Sequence, residues 1–247
     1  MTKVFAGGSN VCIKVASYNV NGVLNPIKRS KITSKMKKEG AGVILLQETH
    51  LTEKEHAKLT RNGYNQIFSA SYKSGRRRGV AILISGKISF EKISVTGDKE
   101  GRYIMVKGKL EGEVVTFFNI YAPPGSDWKF YRQMFDLMTL EAEGILIAGG
   151  DLNQRLNPQL DASRGGIQKS AISKKIKMMM SELGIVDIWR DLNPTSKDYT
   201  YYSPPHNIHT RIDYFLMYNK DRHRVEKCDI GIRDLSDHSP LNTTSGK

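Results

Sequence analysis

Short apolar runs recur along the chain, and most carry a polar residue at one end. They are VCIKVASYNV (11–20), AGVILLQET (41–49), GVAILIS (79–85), EVVTFFNIYA (113–122), GILIAGGDLN (144–153) and RIDYFLM (211–217). Each is rich in β-branched or aromatic residues and bounded by Gly, Pro or polar residues, so each reads as a strand. Amphipathic stretches separate them. NPIKRSKITSKMKKEG (25–40) reads as a helix, with Pro near its start and Gly at its end. TEKEHAKLTRNG (52–63) reads as another, with Thr52 and Glu55 in capping-box spacing. Two further helices are expected at 127–143 and 170–183. Strands between 79 and 122 follow one another quickly, as hairpins do, while the flanks alternate strand and helix. The pattern predicts an α/β (α+β) fold, with two packed sheets covered by helices and folded as one unit over 1–247.

Charge narrows the partners. Against 25 Asp+Glu stand 38 Lys+Arg, a net charge of +13. Such an excess favours a polyanion, either nucleic acid or an anionic membrane surface. The apolar runs fall far short of the ~20 residues of a membrane span, so no membrane partner is expected. The two cysteines, Cys12 and Cys228, form neither a CxxC nor a zinc spacing. The opening MTKVFAGGSN lacks a signal-peptide pattern. A reducing, intracellular location is the expectation.

Polar residues gather at the strand ends. Asn19 and Asn21 end one run, Glu48 another, Asn119 and Tyr121 a third, and Asp151 and Asn153 a fourth. Asp213 lies inside a strand, and SDHSPL (236–241) sets Asp237 beside His238. A charge near a packed strand is costly unless it is paired or binds a metal. Phosphodiester hydrolysis would use these types. A hard cation takes a few oxygen ligands, an acid orients the attacking water, and a His–Asp pair offers a proton or hydrogen bond to the phosphate. Asn and Tyr supply neutral donors.

In this order and spacing, YNVNG, LLQETHL, NIYAP, GDLN, RIDY and SDHS resemble the exonuclease III/DNase I-like endonuclease–exonuclease–phosphatase superfamily. The resemblance covers about residues 12–241. QETHLT, DKEGRYIMVKG and NIYAP narrow it to the endonuclease domain of LINE-type (non-LTR) retrotransposons. It implies a four-layer α/β sandwich, two mixed β-sheets packed face to face and flanked by helices. It also implies Mg²⁺-dependent nicking of double-stranded DNA, with Mn²⁺ able to substitute, leaving a 3′-hydroxyl that primes reverse transcription. The chain would then be the N-terminal part of a longer polyprotein that supplies reverse transcriptase and element RNA, acting on nuclear DNA, with the isolated domain monomeric. By the same resemblance Glu48 is the main metal ligand, with Asn19 and Asp237 nearby. Asp151 orients or deprotonates the water, and Asn153 supports the phosphate. Tyr121 contacts the phosphate, and His238 is held by Asp213.

Several weaker signals bear on DNA contact. Arg76, Arg77 and Arg78 sit in the loop KSGRRRGV, and Lys28, Lys31, Lys35 and Lys38 form a basic stripe. Asn21 and Arg164 are further candidates. His206, Asn207, His209 and Thr210 lie in PPHNIHT, read as a stiff hairpin tip that probes a groove. Two departures stand out. Pro124 follows YAP, and LNTTSGK offers little of an apolar strand after SDHS. The competing readings are an abasic-site repair endonuclease, which would carry Trp where Thr210 stands, a superfamily phosphatase or phospholipase, and a catalytically silent DNA-binding module.

Overall fold

The computed structural model describes residues 13–164 and 170–244, leaving out the side chain of Thr244. Cys12 lies outside the described residues. In chain order the elements are β1 (Lys14–Asn19), α1 (Pro26–Lys38), β2 (Ala41–Gln47), α2 (Glu53–His56), β3 (Tyr64–Ala70), β4 (Val80–Ser85), β5 (Phe90–Gly97), β6 (Tyr103–Leu110) and β7 (Glu113–Tyr121). There follow α3 (Trp128–Leu140), β8 (Ile145–Asp151), α4 (Ala171–Glu182), β9 (Ile185–Asp187), α5 (Ile188–Leu192), β10 (Tyr201–Ser203), β11 (Ile208–Thr210), β12 (Asp213–Tyr218), β13 (Lys227–Ile230) and β14 (Leu241–Thr244).

Two six-stranded mixed sheets result, in the orders β13-β14-β1-β2-β4-β3 and β5-β6-β7-β8-β12-β9. Leu45, Ile82, Val106, Phe117 and Phe215 fill the space between them. On the outer face of one sheet, α1 buries Ile32 and Met36 among Tyr18, Leu46 and Leu83. On the other, α3 buries Phe130, Met134, Phe135 and Met138, whose spacing makes one helical stripe. The layers run helix, sheet, sheet, helix, as the sequence pattern implied.

Some local expectations need correction. The quick run of strands is not one hairpin series, since β4 belongs to the first sheet while β5, β6 and β7 form a meander in the second. The helix expected over 52–63 is one α-turn followed by a 3-10 turn at Ala57–Leu59. Its capping box does form, with Glu55 accepting from the Thr52 amide at 3.1 Å. Left-handed Asn62 and Gly63 then turn the chain into β3. After SDHS a strand does form. β14 pairs with β1 and β13, and Leu241, Asn242 and Thr243 are all buried.

Two features hold the sheets in place where the site lies. Asn119 on β7 donates to the carbonyls of Leu46 (2.9 Å) and Ala81 (2.8 Å), and accepts from Gln47 at 2.7 Å. It therefore staples one sheet to the other rather than facing solvent. Gly150 has φ +138, and a Cβ there would lie 1.9 Å from the Ile120 carbonyl, so β8 can approach β7 only with glycine.

Candidate active site

Strand register brings the polar ends together. Tyr121 pairs with Asp151 across β7 and β8, and Asp213 pairs with Asp151 across β12 and β8. The Asp237–His238 segment is carried in by the lead into β14, where Tyr201 forms a bridge with His238.

Hydrogen bonds and one longer ion-pair contact, His238 to Asp151, connect the set. His238 Nδ1 lies 2.8 Å from Asp213 Oδ2, and its Nε2 lies 3.8 Å from Asp151 Oδ2. Asn19 Nδ2 donates to Asp151 Oδ2 and to Glu48 Oε1, each at 2.9 Å. Glu48 Oε2 lies 3.2 Å from His50 Nε2. Asn19, Asp151, Asp213 and His238 are buried, while the Glu48 side chain keeps 22% of its surface exposed at the mouth. Asp151, Asp213 and His238 each place one ligand-capable atom within 4.8 Å of the others.

Burial, then the Asp213 charge, push the Asp151 carboxyl up to about 7. For His238 burial favours the neutral ring, but the hydrogen-bonded Asp213 and the Asp151 charge prevail and raise it to about 9. Burial opposes the charge on Glu48 too, yet hydrogen bonds from His50 and Asn19 outweigh it and hold the carboxyl below its usual range. Tyr121 is raised by burial and by the Glu48 and Asp151 charges, so its hydroxyl stays protonated.

The amides are more committed than their residue types implied. Asn153 Nδ2 donates to Ala122 O (2.9 Å) and Asp151 Oδ2 (3.2 Å), and its backbone N–H donates to Asp151 Oδ1 (2.8 Å). It fixes Asp151 rather than offering donors outward. Asn19 Oδ1 accepts from the Asn21 amide at 3.1 Å, leaving one lone pair for a metal. Asn21 Nδ2 donates to Asp237 Oδ1 at 3.2 Å.

The basic candidates are also partly spoken for. Arg76 pairs with Glu55 at 2.8 Å and Arg78 with Glu100 at 2.8 Å. Arg77 donates to the Tyr72 hydroxyl at 2.8 Å and lies over its ring. Lys28 reaches the carbonyls of Val20 (2.6 Å) and Asn21 (3.0 Å), and Lys35 pairs with Asp234, so the α1 stripe partly braces loops. Arg164 is exposed, and its neighbour Ser163 hydrogen-bonds His209 of the β10–β11 hairpin. That hairpin turns through a 3-10 turn at Pro204–His206 and left-handed Asn207. His209 does not sit at the tip, because its ring packs 4.5 Å from the Tyr202 ring. Thr210 borders a cleft with Asn153, Arg155, Tyr201 and Ile212.

Three participants escaped sequence reasoning. His50, whose φ is +54, braces Glu48. The Tyr201 ring packs 4.8 Å from His238. Buried Thr200 accepts the amides of Ile212 (3.1 Å) and Asp213 (3.2 Å) on Oγ1, and its carbonyl accepts from Ser239 at 2.6 Å. It thus ties both halves of the His–Asp pair. His50 had a signal in its place beside Glu48, whereas Thr200 looked like any strand threonine.

Known proteins resemble the chain in sequence and in fold. A Xenopus laevis protein described as Transposon TX1 uncharacterized 149 kDa protein is 26% identical over 93% of this chain, which spans only 18% of that protein. An exodeoxyribonuclease of Bacillus subtilis (strain 168) is 27% identical over 93% of this chain and 98% of its own length. An AP endonuclease structure from Archaeoglobus fulgidus superposes with a TM-score of 0.74 at 21% identity, covering 94% of this chain and 99% of that one. Residues 16–238 match the Endonuclease/Exonuclease/phosphatase family from the first core strand to His238. With fold and sequence in agreement over that span, the chain belongs to the Endonuclease/Exonuclease/phosphatase family.

Proposed function

We propose that the chain is a DNA endonuclease that hydrolyses one strand of duplex DNA with Mg²⁺, leaving a 3′-hydroxyl that primes reverse transcription of a retrotransposon. The observation that carries the chemistry is the continuous string His238–Asp213, Asp151, Asn19, Glu48 at one end of the two sheets. A nuclease relative supports the DNA substrate, and the transposon relative supports a mobile-element setting.

The donor set suits a hard cation. Glu48 stays ionised and partly exposed, and Asp237 uses Oδ1 for Asn21 and Ser236, leaving Oδ2 to bind. The Asp151–Asp213 pair is less suited, because protonated His238 already compensates its charge. When bound by Glu48 and Asp237, with Asn19 beside them, Mg²⁺ supplies charge stabilisation on the phosphoryl oxygens and the leaving alkoxide. Asp151, near neutrality in proton affinity, orients the attacking water and accepts its proton. His238, kept protonated and aligned by Asp213, offers Nε2–H to the phosphate. Tyr121 donates its hydroxyl there as well.

Supercoiled plasmid is incubated with and without Mg²⁺, the nicks are mapped, and their ends are extended with a polymerase to reveal a 3′-hydroxyl. Asp151→Ala or His238→Ala should lose about 10²-fold or more while circular dichroism is unchanged. Near-wild-type nicking by either folded variant would sink the assignment. A second reading, abasic-site cleavage, would use the cleft bordered by Tyr201, Thr210 and Ile212, where Thr210 stands in place of the Trp that reading calls for. Equal amounts of abasic and intact A·T-rich duplex in one reaction separate the two.

A further inference from the structure

A groove runs between the edge strands of the two sheets. Ser69 and Ala70 of β3 form one wall, Val95 and Gly97 of β5 the other, and the loops at 52–54, 71–73 and 98–99 border it. Three lysines stand on its rim, Lys54, Lys73 and Lys99, all exposed. The Lys73 amide donates to the Lys99 carbonyl at 3.2 Å, so two of them are held side by side. Among the described residues none of the three ammonium groups has an ion pair or a side-chain hydrogen bond, in contrast to Arg76, Arg77 and Arg78. Of the two carboxylates on the rim, Asp98 is taken by Arg102 at 2.7 Å, leaving Glu53. The groove therefore keeps a net positive charge that the fold does not spend internally.

It is also joined to the catalytic end. The Gly101 carbonyl beside it accepts from Gly79 at 2.9 Å, and the His50 amide donates to the Arg78 carbonyl at 2.8 Å, two residues from Glu48. These backbone links place the rim next to the loop that carries Glu48.

We infer that the groove rimmed by Lys54, Lys73 and Lys99 holds the phosphodiester backbone of the substrate beyond the segment at the cleavage site, on one side of it. The inference rests on the DNA-nicking reading above. Phosphate is the complementary chemistry, because compact ammonium groups on flexible stems meet a charged backbone without reading sequence. The lysine rim thus sets how much flanking DNA the protein needs, while the catalytic cluster sets the chemistry.

The test uses three duplexes with one mapped nick site. One ends close to the nick on both sides, and the other two are extended by roughly one helical turn on one side or the other. Binding is followed by anisotropy and nicking by gel, for wild type and a Lys54→Gln, Lys73→Gln, Lys99→Gln variant. Wild type should bind one extended duplex about tenfold more tightly than the short one. The variant should lose that gain, with a salt slope shallower by about 2–3 on that duplex alone and kcat unchanged. Equal affinity of wild type and variant on all three duplexes overturns the inference, and so does an equal loss on all three. Tighter one-sided binding without any nicking would uphold the groove and remove the nuclease reading instead.

Discussion

His56 shows how far a side chain's neighbours decide its chemistry. It is buried, with Nε2 2.9 Å from Thr49 Oγ1 and Nδ1 3.1 Å from Thr52 O and 3.0 Å from Ser71 Oγ. Burial outweighs the backbone hydrogen bond and lowers its pKa from 6.5 to about 4. The folded ring therefore stays neutral while the unfolded ring takes a proton. Stability should be undiminished above pH 6.5 and fall as pH drops from 6.5 toward 4, by on the order of 2–3 kcal/mol. Urea unfolding of wild type and His56→Gln across that window checks this, and an equal pH slope in both would contradict it. Arg211 is the opposite case. Fully buried, it pairs with Asp161 at 3.0 Å and Asp187 at 2.7 Å. Arg211→Ala would leave Asp187 without its cation and Asp161 with Arg190 alone, and should cost about 3–5 kcal/mol, measured by the same unfolding. Residue types at strand ends were legible because a polar residue closing an apolar run is conspicuous. Partners were not, since Asn19 and Asp151 are 132 positions apart.

The β10–β11 hairpin is the element with the most direct line to the chemistry. Tyr201 packs on His238, the Tyr202 amide donates to the Asp237 carbonyl at 3.4 Å, and β11 leads into Asp213 through two residues. It is held at Ser163 and its rings stack, so the exposed turn from Pro204 to Asn207 is what projects, with Asn207 accepting from the Tyr202 hydroxyl at 3.2 Å. Replacing Pro205–Asn207 with a Gly/Ser turn should change where a plasmid is nicked. Total nicking should fall far less than in Asp151→Ala. A nick map unchanged at nucleotide resolution would show that the turn does not select the target. The hairpin was readable from the double proline between two β-rich runs. The one-turn α2 was over-read as a long helix, because capping residues mark where a helix starts and say little about how soon it stops.

Across the molecule the excess of positive charge sets the terms of encounter. Counterion release predicts that DNA affinity falls steeply with salt, with a log–log slope near −0.9 for each phosphate neutralised. An affinity that stays flat from about 50 to 200 mM salt would contradict a phosphate-led interface. Ion pairs such as those of Arg76, Arg78, Arg190 and Arg211 cancel charge against carboxylates already counted, so they decide which cations are free and leave the net +13 unchanged. Strand and helix periods and the chemical types near the site were set along the chain, because periodicity and polarity are local properties, while the four-layer class was what the family resemblance implied. Which sheet each strand joins, which basic groups are free, and which amide holds which carboxylate came only with folding. Those depend on register and on contacts between distant residues. Asn119 has the same side chain wherever it lies, and only the packing of one sheet against the other makes it a staple instead of a ligand.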